Sequence, residues 1–269
     1  MSSLYIFLLT LFSGCFIKSD LSSKNMQATN PVIAHRGAWK GKALPQNSIA
    51  SLQEAIRLNC AGSEFDIHLT ADDVLVVNHD DKFYGMEIEK SSYAQLLTKK
   101  HNNGESIPTV EEYFKAGLNQ KQTKLICEIK PSVISKERTL RATRMVVDLA
   151  KKMGGPDRIE FISFDYDALK YIQKVAPKFK TAYLNGNTMP QQIKSDGLTG
   201  LDFHMSFYKK FTTWIADAHK MGLTVNVWTV NKEEDMSFFL NRGADYITTD
   251  YPELLLKVWS RHARVQRPH

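Results

Sequence analysis

Residues 31–58, PVIAHRGAWKGKALPQNSIASLQEAIRL, contain one complete signal for a strand, a loop and a helix. The β-branched apolar run at 32–35 predicts a short buried strand. The segment 47–58 has apolar residues at helical spacing behind a polar capping side chain, so it predicts an amphipathic helix. A polar loop that begins with His35 and Arg36 joins the two. A titratable imidazole and a fixed cation therefore follow directly on a core strand.

The same alternation of apolar runs and helix-period segments continues along the chain. Eight strands are predicted, at 32–35, 63–69, 125–130, 158–164, 180–185, 201–206, 223–230 and 245–250. Helices are predicted at 47–58, 137–154, 165–176, 208–222 and 232–243, and three of the last four end at or beside Gly. Eight such units favour a closed (β/α)8 TIM barrel of the α/β class, with an open doubly wound sheet as the alternative.

Charged residues cluster near the predicted strand ends. The second strand places Glu64, Asp66 and His68 on one face, because side chains two residues apart point the same way. Its other face is apolar. On the third strand Glu128 and Lys130 share a face. Catalytic residues of such barrels lie at the C-terminal ends of the strands, so we expect these groups to meet at one mouth.

Three inward carboxylates, those of Glu64, Asp66 and Glu128, require neutralisation. Oxygen ligands of this kind suit a hard divalent cation, and we predict one Ca²⁺ or Mg²⁺. Zinc is disfavoured because it prefers His and Cys ligands. Salt bridges to Arg36 and Lys130 are the alternative, but two cations leave three carboxylates underneutralised.

The segment 73–80, DVLVVNHD, predicts an extended piece that returns His79 to the mouth. Two histidines, His35 and His79, beside a metal suit general acid/base chemistry on a phosphate ester. The planar guanidinium of Arg36 suits phosphate oxygens. Trp228, near the end of the seventh strand, is expected to form an apolar wall for the carbon part of a substrate.

The N-terminal 30 residues differ in composition from the rest of the chain. Residues 4–12, LYIFLLTLF, form an apolar run that is too short to span a bilayer but suits the core of a signal peptide. The following LFSGC resembles a bacterial lipobox, which implies cleavage before Cys15 and its lipidation. An ordinary signal peptide or an uncleaved anchor is the alternative. We expect a lipoprotein-type signal at 1–15, a polar tether at 16–30 and the barrel at 31–269, in a periplasmic or surface lipoprotein of the bacterial cell envelope.

Net charge and cysteine content limit the partners. The formal net charge of +6 suits an anionic substrate or membrane surface. No Lys/Arg block typical of a nucleic-acid-binding arm occurs, so we expect no nucleic acid partner and membrane contact only through the N-terminal anchor. Cys60 and Cys127 lack CxxC spacing, which argues against a zinc site or a disulfide framework. Both are expected to be small buried side chains.

A set of motifs, taken in order, resembles the glycerophosphodiester phosphodiesterase family. They are HRG (35–37), PQNS (45–48), EFDIHLTADDVLVVNHD (64–80), IPTVEEYF (107–114), CEIK (127–130), VNVWTVN (225–231) and GADYITTDYP (243–252). The resemblance covers Val32 to Pro252. It implies a (β/α)8 barrel, a divalent metal and hydrolysis of glycerophosphodiesters to sn-glycerol 3-phosphate and an alcohol.

The resemblance also implies roles for single residues. They are His35 and His79 as the catalytic acid/base pair, Glu64, Asp66 and Glu128 as metal ligands, and Arg36, Lys130 and Trp228 as substrate-binding residues. A short insertion between the second and third strands is expected at about 83–106. The family usually has Glu where this chain has Gln46, so we expect altered affinity or specificity rather than loss of catalysis.

Two other functions remain open from the residues. One is a phospholipase D-like lyase, similar to sphingomyelinase D-type enzymes, in which a hydroxyl of a lysophospholipid or sphingolipid attacks phosphorus and a cyclic phosphate is released. The other is a non-catalytic lipoprotein that captures phosphodiesters. Both histidines and all three carboxylates argue against capture alone, since capture needs no acid/base pair. The head group, the choice between Ca²⁺ and Mg²⁺ and the oligomeric state do not follow from the sequence.

Overall fold

The computed structural model describes residues 30–265. The predicted signal segment, Cys15 and all of the predicted tether except Asn30 lie outside the described residues. The strands are β1 (Val32–Ala34), β2 (Gly62–Leu69), β3 (Leu75–Val77), β4 (Lys82–Phe83), β5 (Met86–Glu87), β6 (Lys124–Ile129), β7 (Ile159–Ser163), β8 (Lys180–Tyr183), β9 (Gly200–His204), β10 (Thr224–Trp228) and β11 (Tyr246–Thr249). The helices are α1 (Ile49–Arg57), α2 (Tyr93–Leu96), α3 (Val110–Leu118), α4 (Lys136–Met153), α5 (Tyr166–Val175), α6 (Pro190–Ser195), α7 (Met205–Lys210), α8 (Trp214–Lys220), α9 (Glu233–Asn241) and α10 (Pro252–Val265), with 3₁₀ turns at Lys40–Lys42 and Ile88–Lys90.

Eight parallel strands form a closed barrel in the order β1-β2-β6-β7-β8-β9-β10-β11. Strand β1 closes it, because Val32 pairs with Ile247 of β11 and Ile33 pairs with Gly62 of β2. The predicted (β/α)8 barrel is therefore confirmed, and the open-sheet alternative is wrong. Each predicted strand is present, with ends that differ from the prediction by at most two residues.

Two differences in extent between predicted and observed elements have a local cause. The strand predicted to run to residue 206 ends at His204, whose ring accepts a hydrogen bond from the backbone N–H of Ser206 and starts α7. The helix predicted at 208–222 is interrupted between α7 and α8. Phe211 leaves helical geometry there (φ −109°, ψ 76°), and its ring stacks on Trp214 at 4.3 Å between centroids. Aromatic packing thus overrides a continuous helical period.

Helices α2, α3, α6 and α10 were not predicted, and three of them, α3, α6 and α10, complete the outer layer. Helix α3 begins with a reciprocal cap, in which Thr109 Oγ1 accepts from the Glu112 N–H and Glu112 Oε2 accepts from the Thr109 N–H. Its Tyr113 ring stacks on Phe65 of β2 at 4.4 Å. The capping sequence at 109–112 was the available signal for this helix.

Apolar residues fill two layers. The outward faces of the strands and the inner faces of the helices form the main core, which includes Phe65 and Ile67 as predicted for the second strand. Inside the barrel, Ile33, Ile126 and Ile162 belong to a separate apolar cluster. The polar residues at the C-terminal strand ends therefore lie above an apolar layer inside the barrel. The predicted burial of Cys60 and Cys127 is confirmed, and both are free thiols.

The chain between β2 and β6 carries the insertion expected at 83–106. Strand β3 runs antiparallel to β2, with Val77 opposite Ile67, and the β4–β5 hairpin and α2 follow. This layer has its own small core, which includes Phe83, Ile88 and Leu96. No helix within residues 30–265 combines the length and the hydropathy needed to cross a bilayer.

Candidate active site

The loop after β1 starts with a tight left-handed turn. Arg36 has φ 55° and Gly37 has φ 79°. A Cβ on Gly37 would lie 2.4 Å from Ser51 Oγ, so only glycine fits this close approach to α1. The turn directs the backbone N–H of Arg36 at Glu64, where it donates to Oε2 at 2.8 Å.

Glu64, Asp66 and Glu128 form a buried carboxylate cluster. Asp66 and Glu128 are register partners on β2 and β6, and one oxygen from each of the three groups lies within 4.8 Å of the others. Glu64 Oε1 is buried without a hydrogen-bond partner among residues 30–265. Burial, reinforced by the neighbouring carboxylates, raises the pKa of Glu64 well above its usual value and that of Glu128 to about 8. The protein alone therefore leaves this cluster unneutralised, and its oxygen ligands fit a hard divalent cation.

Two cations contact the cluster without neutralising it. Lys130 Nζ lies 2.9 Å from Glu128 Oε1 and 3.4 Å from Asp66 Oδ1, and Arg36 Nε lies 3.8 Å from Asp66 Oδ2. Burial opposes ionisation of Asp66, but Lys130, the hydrogen bond from Asn47 and other neighbours outweigh it and lower the Asp66 pKa. Ion pairing thus favours one charged carboxylate of the three. Salt bridges to Arg36 and Lys130 alone therefore do not neutralise the three carboxylates.

Asn47 holds the Asp66 carboxylate in place. Its Nδ2 donates to Asp66 Oδ2 at 2.9 Å, and its Oδ1 accepts from the Asp66 N–H at 3.1 Å. Asn47 has φ 56°, which Asn tolerates better than most residues. The polar capping side chain predicted for this helix is that of Ser48, which forms a reciprocal pair with Ser51. The bridging role of Asn47 was missed, although it lies in the PQNS motif.

His35 is oriented by an acidic partner from the last strand. Its Nδ1 lies 2.7 Å from Asp250 Oδ1, and Asp250 Oδ2 accepts from Asn231 Nδ2 at 2.8 Å. A carboxylate at Nδ1 favours the proton on that nitrogen and leaves Nε2 for proton exchange. Asp250 was also missed. The signal was its place at the end of the eighth predicted strand, which barrel closure puts beside the first.

His79 reaches the site by the predicted return of the chain. The N–H of Asn78, next to it, donates to the carbonyl of Asp66 at 3.0 Å. His79 Nδ1 lies 2.7 Å from Asp80 Oδ1, and its carbonyl lies 3.2 Å from Nε2 of the buried His68. Burial lowers the pKa of His79, so its neutral form is favoured. The contact of His68 with backbone indicates a supporting role.

Seven of the eight predicted site residues line one cavity of about 150 Å³ at the C-terminal end of the barrel. These lining residues are His35, Arg36, Glu64, His79, Glu128, Lys130 and Trp228. The eighth residue, Asp66, lies behind them, and its carboxylate contacts the side chains of Arg36 and Lys130. Trp228 Nε1 donates to the Asp202 carbonyl at 2.7 Å, and its ring meets Phe164 edge-on at 5.7 Å. This gives the cavity one apolar wall opposite its charged groups.

A larger depression of about 730 Å³ lies on the outer helices α4 and α5. It is lined by surface side chains such as Lys136 and Asp167, and it contains none of the predicted site residues. Open grooves between helices are ordinary surface features. The smaller cavity at the strand ends therefore remains the candidate active site.

Comparison with known proteins agrees with this geometry. The profile of the glycerophosphoryl diester phosphodiesterase family matches residues 35–254. A glycerophosphodiester phosphodiesterase from Caldanaerobacter subterraneus subsp. tengcongensis is 29% identical over 245 residues, which cover 84% of this chain and 96% of the relative.

Solved structures show the same fold. A glycerophosphodiester phosphodiesterase from Parabacteroides distasonis superposes with a TM-score of 0.84 at 41% identity, covering 89% of this chain and 99% of that one. An Oleispira antarctica phosphodiesterase, solved in complex with the product sn-glycerol-3-phosphate, gives a TM-score of 0.75 at 25% identity over 86% of this chain and 97% of that one. With its barrel, its cavity and these similarities together, the chain belongs to the glycerophosphoryl diester phosphodiesterase family of enzymes.

Proposed function

We propose that this enzyme hydrolyses glycerophosphodiesters to sn-glycerol 3-phosphate and an alcohol, using one divalent cation and two histidines. The observation that carries the proposal is the buried cluster of Glu64, Asp66 and Glu128, in which Glu64 Oε1 has no partner among the described residues. It faces the same cavity as His35 and His79. Membership of the family supports the substrate class.

The cluster and its neighbours would bind the phosphate end of the substrate. Glu64, Asp66 and Glu128 would hold Ca²⁺ or Mg²⁺, which when bound supplies Lewis-acid stabilisation of the phosphate oxygens. Arg36 lines the cavity and offers further donors to those oxygens, and Lys130 adds a second positive charge. Trp228 provides the apolar wall against which the carbon part of the substrate packs.

The two histidines would move the protons. One imidazole accepts the proton of the attacking hydroxyl, a P–O bond forms, and the other imidazole donates a proton to the departing alkoxide as its P–O bond breaks. Asp250 and Asp80 hold the Nδ1 sides of His35 and His79, so each ring keeps Nε2 for this exchange. Attack by water gives sn-glycerol 3-phosphate directly, whereas attack by a substrate hydroxyl gives a cyclic phosphate.

Product analysis tests the proposal. The protein loaded with Ca²⁺ or Mg²⁺ is incubated with several glycerophosphodiesters and a lysophospholipid, and phosphorus-containing products are identified by ³¹P NMR. We expect sn-glycerol 3-phosphate and no accumulation of a cyclic phosphate. A cyclic product would support the lyase alternative instead, and binding without turnover would support a capture protein.

We also propose that the protein is a lipoprotein of the bacterial cell envelope. The support is the apolar run at 4–12 followed by the lipobox-like LFSGC, in residues that lie outside the described structure. Mass spectrometry of the mature protein should find acyl chains on an N-terminal Cys15, and Cys15→Ala should abolish membrane partitioning while leaving kcat/KM unchanged. An unmodified Cys15 within an intact N-terminus would contradict this.

A further inference from the structure

A second groove, of about 550 Å³, opens beside the catalytic cavity. The two share Arg36 and His79 in their linings, so the groove begins where the phosphate would be bound. One side of the groove comes from the loop after β1 and includes Trp39. The other side comes from the insertion and includes Tyr84 and His101. The groove therefore offers space for a second arm of a diester.

Tyr84 occupies an unfavourable backbone position at this groove. It forms the turn of the β4–β5 hairpin together with Gly85, and the two residues have φ 46° and φ 86°. Such two-residue turns are usually Asn-Gly or Asp-Gly, because a bulky residue at positive φ is strained. The side chain is 55% exposed, and its hydroxyl lies 3.3 Å from His101 Nδ1. An exposed aromatic ring in a strained turn indicates a role in binding.

Gln46 provides an unused donor at the junction. Its Oε1 accepts from Arg36 Nη1 at 2.7 Å, whereas its Nε2 donates to no residue in the described range 30–265. The amide is neutral and lines the groove with the amides of Asn78 and Asn102. Amide groups of this kind bind hydroxyl groups well, since they offer both donors and acceptors.

The lining of the groove contains two cations and one carboxylate. Arg36 and Lys82 line it, and Lys40 Nζ already lies 5.4 Å from the Trp39 ring centroid. Among the described residues of the lining, Asp80 is the single carboxylate, and it is 79% exposed and hydrogen-bonded to His79. A cationic head group would find repulsion here without a buried carboxylate to offset it.

We propose that this groove binds the alcohol arm of the substrate and selects an uncharged polyol over a cationic amino alcohol. The inference rests on the proposed function. The cavity of about 150 Å³ suits the small glycerol phosphate part, and the larger open groove suits a head group of variable size. Aromatic faces of Trp39 and Tyr84 pack against C–H groups, and the amides bind hydroxyls.

Substrate competition tests the selection. We expect the kcat/KM of the metal-loaded wild type to be roughly tenfold higher for glycerophosphoinositol and glycerophosphoglycerol than for glycerophosphocholine and glycerophosphoethanolamine, at one salt concentration. Gln46→Glu adds a carboxylate at the junction, so it should raise the choline-to-inositol ratio of kcat/KM by roughly threefold to tenfold. Any weakening of Arg36 by the new charge affects all substrates alike and cancels in the ratio.

Matched variants separate the groove from general effects. Gln53→Glu makes the same change on the exposed face of α1 and should leave the ratio unchanged. Tyr84→Ala should raise KM for polyol diesters with little change in kcat, whereas Tyr171→Ala, in the outer depression, should change neither.

Two kinds of failure can be told apart. A wild-type preference for choline, or a Gln46→Glu ratio equal to that of the wild type, overturns the groove assignment while hydrolysis persists. If no diester is hydrolysed, the proposed function fails, and calorimetric binding of the same intact diesters to His35→Asn still tests the selection. Tighter binding of the polyol diesters supports it, and equal or tighter binding of the choline diester overturns it.

Discussion

Glu54 and Glu64 are two buried glutamates on consecutive elements, and their pKa values are shifted in opposite directions. Glu54 on α1 accepts from Arg57 at 2.6 and 2.7 Å and from Lys42 at 2.8 Å, and these cations lower its pKa to about 2. Glu64 on β2 accepts one backbone N–H, from Arg36, and burial raises its pKa. A buried carboxylate with partners stabilises the fold. A buried carboxylate without a cationic partner, such as Glu64, lowers stability and indicates that a ligand is bound there.

A second contrast concerns two similar His–Asp pairs. His35 lies 2.7 Å from Asp250 at the barrel mouth, and His219 lies 2.9 Å from Asp245 on the outer surface. Both pairs join an imidazole to a carboxylate, through Nδ1 in His35 and through Nε2 in His219. Only the first faces the cavity with the carboxylate cluster. A His–Asp pair is therefore not enough to identify a candidate catalytic histidine, and the position of His35 at the cavity is the observation that does so.

The largest expected effect separates these two pairs. His35→Ala and His79→Ala should each lower kcat/KM by roughly 10²–10⁴-fold, because each removes one of the two groups proposed to act as general acid and base. His219→Ala should remain within about twofold of the wild type, as expected for an exposed surface site. Steady-state kinetics with a glycerophosphodiester measure this. The double mutant His35→Ala/His79→Ala should lose less than the product of the single losses. Wild-type activity in either single mutant would show that its histidine has a structural rather than a catalytic role.

The next largest effect is the difference in kcat/KM between substitutions of Glu64 and of Glu54. Glu64→Gln keeps the acceptor for the Arg36 N–H and removes a proposed metal ligand, so kcat/KM should fall by roughly 10²–10³-fold. Glu54→Gln should leave kcat/KM within about twofold, because α1 lies outside the cavity. Metal titration by calorimetry should show weaker binding in Glu64→Gln alone. Equal metal affinity in the two variants would break the comparison.

Metal removal should expose the unpaired carboxylates as a pH dependence. In the metal-free protein the Glu128 pKa is about 8, so the folded state holds a proton that the unfolded state loses above its ordinary pKa near 4.5. The free energy of unfolding of the metal-free protein therefore falls as pH rises from about 4.5 to about 8, because the folded state binds this proton and the unfolded state does not. Metal binding must displace that proton, so stabilisation by Ca²⁺ or Mg²⁺ should grow with pH by about 1.4 kcal/mol per unit for each proton released.

Scanning calorimetry with and without chelator at pH 5.5 and pH 8 measures the difference in Tm. Full activity in excess chelator after verified metal removal would contradict the metal assignment. If the metal raised Tm equally at both pH values, the carboxylate cluster of the metal-free protein would not hold the expected proton.

The smallest expected effect is the acid sensitivity of Glu54. Its folded pKa of about 2 lies below the unfolded value, so its stabilisation is complete above about pH 4.5 and is lost as pH falls towards 2. Arg57 and Lys42 are more than half exposed, which reduces the contribution to about 1–2 kcal/mol. Urea unfolding of the wild type and Glu54→Gln should show this difference at pH 6 and less than half of it at pH 3. A difference that is independent of pH would show that packing, rather than charge, stabilises the site.

Several features of the candidate site follow from local sequence. A spacing of two residues on a strand puts Glu64 and Asp66 on one face whatever the partners of that strand. The same rule separated them from Phe65 and Ile67, which pack outside the barrel as predicted. The alternation of eight apolar runs with helical segments was enough to predict the barrel, and hence the strand ends as the place for chemistry.

Other features depend on contacts between distant segments. Asp250 meets His35 only because β11 pairs with β1, across a separation of 215 residues. Asn47 bridges Asp66 only because the loop before α1 folds over β2. The break between α7 and α8 likewise depends on packing of the Phe211 ring. The sequence by itself determined which side chains point inward, since that direction is set by the backbone of a few residues. The tertiary structure decided which of them meet, because barrel closure and strand register set the distances between segments.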